Sequence, residues 1–118
     1  MLKKTMKYTD YNGVEQERDF YFHLSKAEIL EMELSSTGGL EATIRKLMEE
    51  VNGKEIVKIF KELILKSYGE KTVDGRFEKS EELSKKFAET VAYSDLFIEL
   101  ATNSESAYAF VNGITDSE

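Results

Sequence analysis

Residues 19–29 read DFYFHLSKAEI, and the fold turns on whether this run is one site or a junction between two elements. Up to Leu24 its period is two. Phe20, Phe22 and Leu24 alternate with Asp19, Tyr21 and His23, the pattern of a half-buried strand. The next residues carry helix-start chemistry. Ser25 and Glu28 have the S-x-x-E spacing of a capping box, and Leu24 with Ile29 is placed to close a hydrophobic staple. The run therefore reads as a strand-to-helix seam, with Phe20 and Phe22 facing the core and Tyr21 and His23 facing outward.

Upstream of the seam the same period continues as a hairpin. Leu2, Met6 and Tyr8 alternate with Lys3, Thr5, Lys7 and Thr9, and Val14 with the phenylalanines alternates with Glu15, Glu17 and Asp19. A two-residue Asn12-Gly13 turn would set Lys7 opposite Arg18 and Phe20 opposite Thr5, so the apolar faces would miss each other. A three-residue loop, Tyr11-Asn12-Gly13, avoids this. Asp10 then opens a type I turn and Gly13 takes the left-handed bulge position. In that register Lys7 faces Glu17 and Leu2 meets Phe22.

Downstream the period lengthens to that of helices. KAEILEME (26–33) continues the capped helix and fades at SSTGG. Leu40, Ile44, Leu47, Met48 and Val51 mark a second helix over Leu40–Val51, ended by Asn52-Gly53. KEIVKIFKELILKSY (54–68) aligns Ile56, Val57, Phe60, Leu63, Ile64 and Tyr68 on one broad face, with Gly69 as its C-terminal cap. EKTVDGRF (70–77) is a polar excursion holding a turn at Asp74-Gly75. Ser80 caps a further helix with Leu83 and Phe87 inward. AYSDLFIELA (92–101) places Tyr93, Leu96, Phe97 and Leu100 on one face, and SESAYAFV (104–111) forms a last helix ending at Asn112-Gly113. A lone hairpin is marginal in water, so its phenylalanine face must pack on these helices. The expectation is a single α+β domain over residues 1–113 with a frayed tail at 114–118. It comprises an N-terminal antiparallel β-hairpin followed by five or six short amphipathic α-helices, and is mostly helical.

Composition removes most chemistries. The 118 residues contain no cysteine, which excludes disulfides and thiolate metal sites. No apolar run is long enough to span a bilayer and no signal-peptide pattern is present, which points to a soluble cytoplasmic protein with no membrane partner. The net charge of −7 is spread as interleaved acids and bases, the opposite of a nucleic-acid-binding surface. His23 is the only histidine, and it precedes a helix N-terminus whose dipole disfavours the imidazolium, so it reads as a strand-end residue and not a catalytic one. There is no glycine-rich phosphate loop, and DYNGVEQERD lacks the ligand spacing of a calcium loop. The pairs Glu49/Glu50 and Glu81/Glu82 point about 100° apart on a helix and share no site. No catalytic residue, cofactor or metal is expected, and the chain does not read as an enzyme. What remains is contact surface. Tyr21 on the outer hairpin face and Tyr93, Phe97, Tyr108, Phe110 and Val111 on the C-terminal helices are candidate partner anchors. The competing reading folds these side chains back on the core.

The ordered blocks YTDYNGVEQERDFYFHLSKAEILEME, GGL, NGKEIVKIFKELILKSYGEKTVDGRF, SEELSKKFAETVAYSDLFIELAT and AFVNGI cover nearly the whole chain. Together they resemble the tail assembly chaperones of long-tailed phages and prophages of Gram-positive bacteria. The resemblance implies a non-enzymatic protein that coats the tape-measure protein, keeps it soluble and helps recruit tail-tube subunits. It also implies residence in the host bacterial cytoplasm and absence from the mature virion. Weak self-association belongs to the same expectation, and the alternative is a permanent neck or tail-completion protein. None of the blocks is a catalytic signature, and the resemblance brings no site residue with it.

Overall fold

The computed structural model describes residues 1–35 and 53–115, and its N-terminal strands pair in the register that the three-residue loop requires. β1 (Leu2–Thr9) runs antiparallel to β2 (Glu15–Phe22), with Leu2 opposite Phe22 and Lys7 opposite Glu17. The loop is held as its residues dictate. The Gly13 N–H donates to the Asp10 carbonyl at 3.0 Å, the Asp10 N–H donates to the Val14 carbonyl at 2.9 Å, and Gly13 sits at φ 80°. The Asp10 carboxylate accepts from the backbone N–H groups of Asn12 and Val14 and from the Gln16 side chain. Those bonds, the one from Gln16 foremost, hold its carboxyl below the ordinary 3.8.

The two-strand expectation needs correction. The sheet has four antiparallel strands in the order β1-β2-β3-β4, because EKTVDGRF is the tip of a second hairpin and not an excursion between helices. β3 (Tyr68–Lys71) leaves the end of α2 (Gly53–Ser67) without an intervening loop, and β4 (Phe77–Glu78) returns beside it. Thr72-Val73-Asp74-Gly75 repeats the geometry of Asp10 to Gly13. The Gly75 N–H donates to the Thr72 carbonyl at 3.2 Å, the Thr72 N–H donates to the Arg76 carbonyl at 2.8 Å, and Gly75 sits at φ 88°. Gly69, expected to cap the helix, is instead a buried strand residue facing Tyr21 across the ladder. Four and two residues are too few for a period to emerge, and the helical pattern of α2 runs visually into Tyr68.

Five helices complete the described residues. α1 (Lys26–Ser35) starts at the capping box, where the Glu28 N–H donates to Ser25 Oγ at 3.2 Å and the Ser25 N–H to Glu28 Oε1 at 3.0 Å. α3 (Glu81–Ala88) is capped by Ser80, whose Oγ accepts from the Leu83 N–H at 3.1 Å. α4 (Val91–Thr102) is capped in the same way by Thr90, and α5 (Ser104–Thr115) follows it directly. The helix expected over Leu40–Val51 and the last residues of the tail lie outside the described residues. α5 also runs past its expected end at Asn112-Gly113, because Ile114 is fully buried and its carbonyl accepts from the Leu24 N–H at 2.8 Å. Gly113 lies in that helix against Leu2 of β1, and the missing side chain makes room for this contact.

The core sits between the inner face of the sheet and the helices α2 to α5. Phe87 of α3 is its hub. The ring stacks on Tyr68 at 4.3 Å and 7°, and lies 5.2 Å from Phe20, 5.7 Å from Phe22 and 5.8 Å from Tyr93. Phe60, Leu63 and Ile64 of α2 and Leu96 and Leu100 of α4 close the layer. Val57, expected on that face, and Val14, expected on the inner hairpin face, are both about half exposed. Lys4 is in phase with Leu2, Met6 and Tyr8 and so projects toward the helices, where its Nζ meets Glu99 Oε2 of α4 at 2.6 Å.

One ion pair fastens the second hairpin to α1. Lys79 donates to both oxygens of Glu28 at 2.7 and 2.8 Å, and both side chains are largely covered. Burial pushes the Glu28 carboxyl upward. The Lys79 and Ser25 hydrogen bonds together with the Lys79 charge outweigh it, so the carboxyl titrates below its ordinary 4.5. A depressed carboxyl pKa contributes stability at neutral pH, and that contribution fades as pH falls from the unfolded value through the folded one. Glu28→Gln keeps the cap spacing and removes the charge. It is expected to lower unfolding stability at pH 7 by about 0.5–1 kcal/mol, with the two proteins converging at an acid pH below the lowered pKa of the folded carboxyl. Paired urea melts at the two pH values check this; an equal gap at both would assign the effect to packing.

Candidate interaction surfaces

The expected anchors separate into three groups. Phe110 and Val111 are core residues, 3% and 4% exposed, and Phe110 lies 5.4 Å from Phe22 in an edge-on contact. They do not form a contact surface, because α5 turns that face onto the sheet. Tyr93 and Phe97 of α4 are half-buried and adjacent, with ring centroids 6.0 Å apart. Burial raises the Tyr93 hydroxyl above the ordinary 10.0, so the ring stays neutral across the physiological range. Tyr108 is half-buried on α5.

Ile98 was not among the sequence candidates. It is 56% exposed and follows Phe97 in sequence on α4, about 100° round the helix from it. Its isolation from the Tyr93, Leu96, Phe97 and Leu100 stripe was the available signal, since a large aliphatic residue off the buried face has no core to fill.

Tyr21 occupies the opposite side of the molecule, on the outer sheet face. The Lys71 ammonium lies 4.5 Å from its ring centroid, a contact the sequence could not show because Lys71 belongs to the unforeseen strand β3. His23 is on the same face. Its backbone N–H donates to the Ser67 carbonyl at 2.8 Å, and its ring meets Phe77 edge-on at 6.3 Å, with Lys79 over Phe77 at 5.8 Å. These aromatic and lysine side chains form a compact layer around Gly69. Nothing in their arrangement pairs a nucleophile with a base.

Among the described residues, no group of three or more His, Asp or Glu side chains converges on a point where a metal would sit. No described helix is long and apolar enough to cross a membrane. The geometry on offer is that of contact: apolar side chains on α4 and an aromatic–lysine layer on the outer sheet face.

A family model described as phage tail assembly chaperone matches residues 1–117. Neither the curated proteins nor the solved structures contain a significant match.

Proposed function

We propose that this chain, which belongs to the phage tail assembly chaperone family, binds the tape-measure protein, keeps it soluble and helps recruit tail-tube subunits during tail morphogenesis. The family match over residues 1–117 carries the reading. On this proposal it works in the host cytoplasm without catalysing a reaction and leaves before the virion is mature. The physics of the described surface supports such a role. A long, largely helical client needs shallow apolar contacts made repeatedly, and the half-buried Tyr93 and Phe97 with exposed Ile98 are of that kind. The net charge of −7 keeps a crowded complex in solution.

The proposed client surface is the α4 edge with Tyr108 beside it in sequence on α5, and Tyr21 second. A pull-down of the tape-measure protein by the tagged chain is expected to weaken at least tenfold in Ile98→Asp, whose side chain is 56% exposed, with the melting profile retained. Unchanged capture would move the client surface elsewhere. A permanent neck or tail-completion protein is the competing reading. Quantitative mass spectrometry of purified virions separates the two: absence is expected, and stoichiometric copies would establish a structural part instead.

A further inference from the structure

The interleaving of acids and bases stops at Lys86. The residues after it hold six acidic side chains and neither lysine nor arginine, so they supply six of the seven net negative charges of the chain. Everything before them is close to neutral. Most of that C-terminal stretch is α4 and α5. The other long helix differs, since α2 exposes Lys58, Lys61 and Lys66 beside Glu62. Among the described residues, the one ion pair made by α4 or α5 joins Glu99 to Lys4 of β1 at 2.6 Å.

The outward face of α4 is more than acidic. At about 100° per residue, its solvent-facing arc runs over Ser94, Ile98 and Thr102, with Ile98 at the middle. Ala92, Leu96 and Leu100 point the other way and are fully buried. The two flanks of the arc differ in kind. One passes through Ala101 to the half-buried Phe97. The other passes to Asp95, which is exposed and in no ion pair with a described residue, and then to Glu99. An apolar strip thus lies beside an acidic border along about 18 Å of helix, the length over which a second helix can pack on the first. A face built only for water gains from mixed charge, as α3 does through Lys86 and Glu82 at 3.3 Å. α4 forgoes such pairs.

We propose that this face of α4 takes a cationic amphipathic helix of a partner protein. The apolar stripe of that helix lies over Ile98 and Phe97, and its lysine or arginine side chains lie over Asp95, in a negative field to which Glu105 of α5 adds. The inference rests on the client surface proposed above and adds the chemistry of the segment which that surface selects. Along a long helical client, stretches with a basic polar face are bound and acidic stretches are passed over.

Two labelled synthetic helices test it by fluorescence anisotropy against the full chain. They share one leucine stripe and carry either lysine or glutamate on the opposite face. The lysine peptide is expected to bind at least tenfold more tightly than the glutamate peptide, and to weaken as salt is raised. Asp95→Lys and Glu15→Lys change the net charge equally at exposed positions, the first on the face and the second on the hairpin. Asp95→Lys is expected to weaken lysine-peptide binding at least fivefold, and Glu15→Lys by less than about twofold. Ile98→Ser is expected to weaken it at least fivefold at unchanged charge. Equal affinity for the two peptides, equal effects of Asp95→Lys and Glu15→Lys, or an Ile98→Ser protein that binds like wild type overturns the proposal. If Asp95→Lys does not fold, Asp95→Asn against Glu15→Gln makes the same comparison. The peptides stand in for the tape-measure protein, so a negative result strikes the chemistry of this face and leaves client binding to its own co-expression test.

Discussion

Phe87→Ala is expected to lower unfolding stability by about 3–5 kcal/mol. The ring is 2% exposed and touches aromatic partners on three elements, Phe20 and Phe22 on β2, Tyr68 on β3 and Tyr93 on α4. Its removal leaves a cavity that no neighbour can fill without tilting a strand. The flat stack on Tyr68 is lost as well, and that contact holds the start of the second hairpin to α3. Urea unfolding followed by circular dichroism measures the change. A loss below about 1 kcal/mol would show that the aromatic cluster does not converge on Phe87.

Gly69→Ala is expected to cost about 1–3 kcal/mol, although it adds a single methyl group. A Cβ at this position would lie 2.7 Å from the Glu78 carbonyl oxygen and 2.7 Å from Phe77 Cε2. The first of these atoms is backbone and cannot turn aside. Either β4 moves away from β3 or the ladder between Glu70 and Glu78 breaks. Gly113→Ala is the control. Its Cβ would meet Leu2 Cδ1 at 2.9 Å and Leu2 Cβ at 3.2 Å, side-chain atoms throughout and no backbone, and alanine is the better helix former. The two substitutions should therefore differ in the same melts, with Gly113→Ala the less costly. Equal costs would mean that the close approach of Phe77 and β4 over Gly69 is not a fixed feature of the fold.

What the sequence revealed follows from how far each signal reaches along the chain. The N-terminal hairpin was legible because eight-residue arms give alternation room to appear, and because only one loop length aligns Leu2 with Phe22. The capping box at Ser25 and the cap at Ser80 were legible because both partners of each bond lie within three residues. The second hairpin was not, since β3 follows α2 with no break and β4 is two residues long. Its turn did carry a usable mark: Thr72-Val73-Asp74-Gly75 has the same spacing of capping side chain and glycine as Asp10-Tyr11-Asn12-Gly13.

Contact residues were harder still. Phe110 and Val111 were candidates because a terminal helix with so much apolar surface suggests a partner. Burial on the sheet consumes that surface, and the direction in which α5 turns is a tertiary fact. The pairing of Lys4 with Glu99 bridges the two ends of the chain and left only one trace, the in-phase position of Lys4 among inward residues.

If this chain chaperones the tape-measure protein, as proposed, the soluble fraction of that protein must respond to it. The tape-measure protein of the same phage is expressed alone and together with the full chain, and its partition between supernatant and pellet is measured. A several-fold gain in soluble tape-measure protein is expected on co-expression, with the two co-purifying. An unchanged soluble fraction with no co-purification, while the chain itself is folded and abundant, would contradict it.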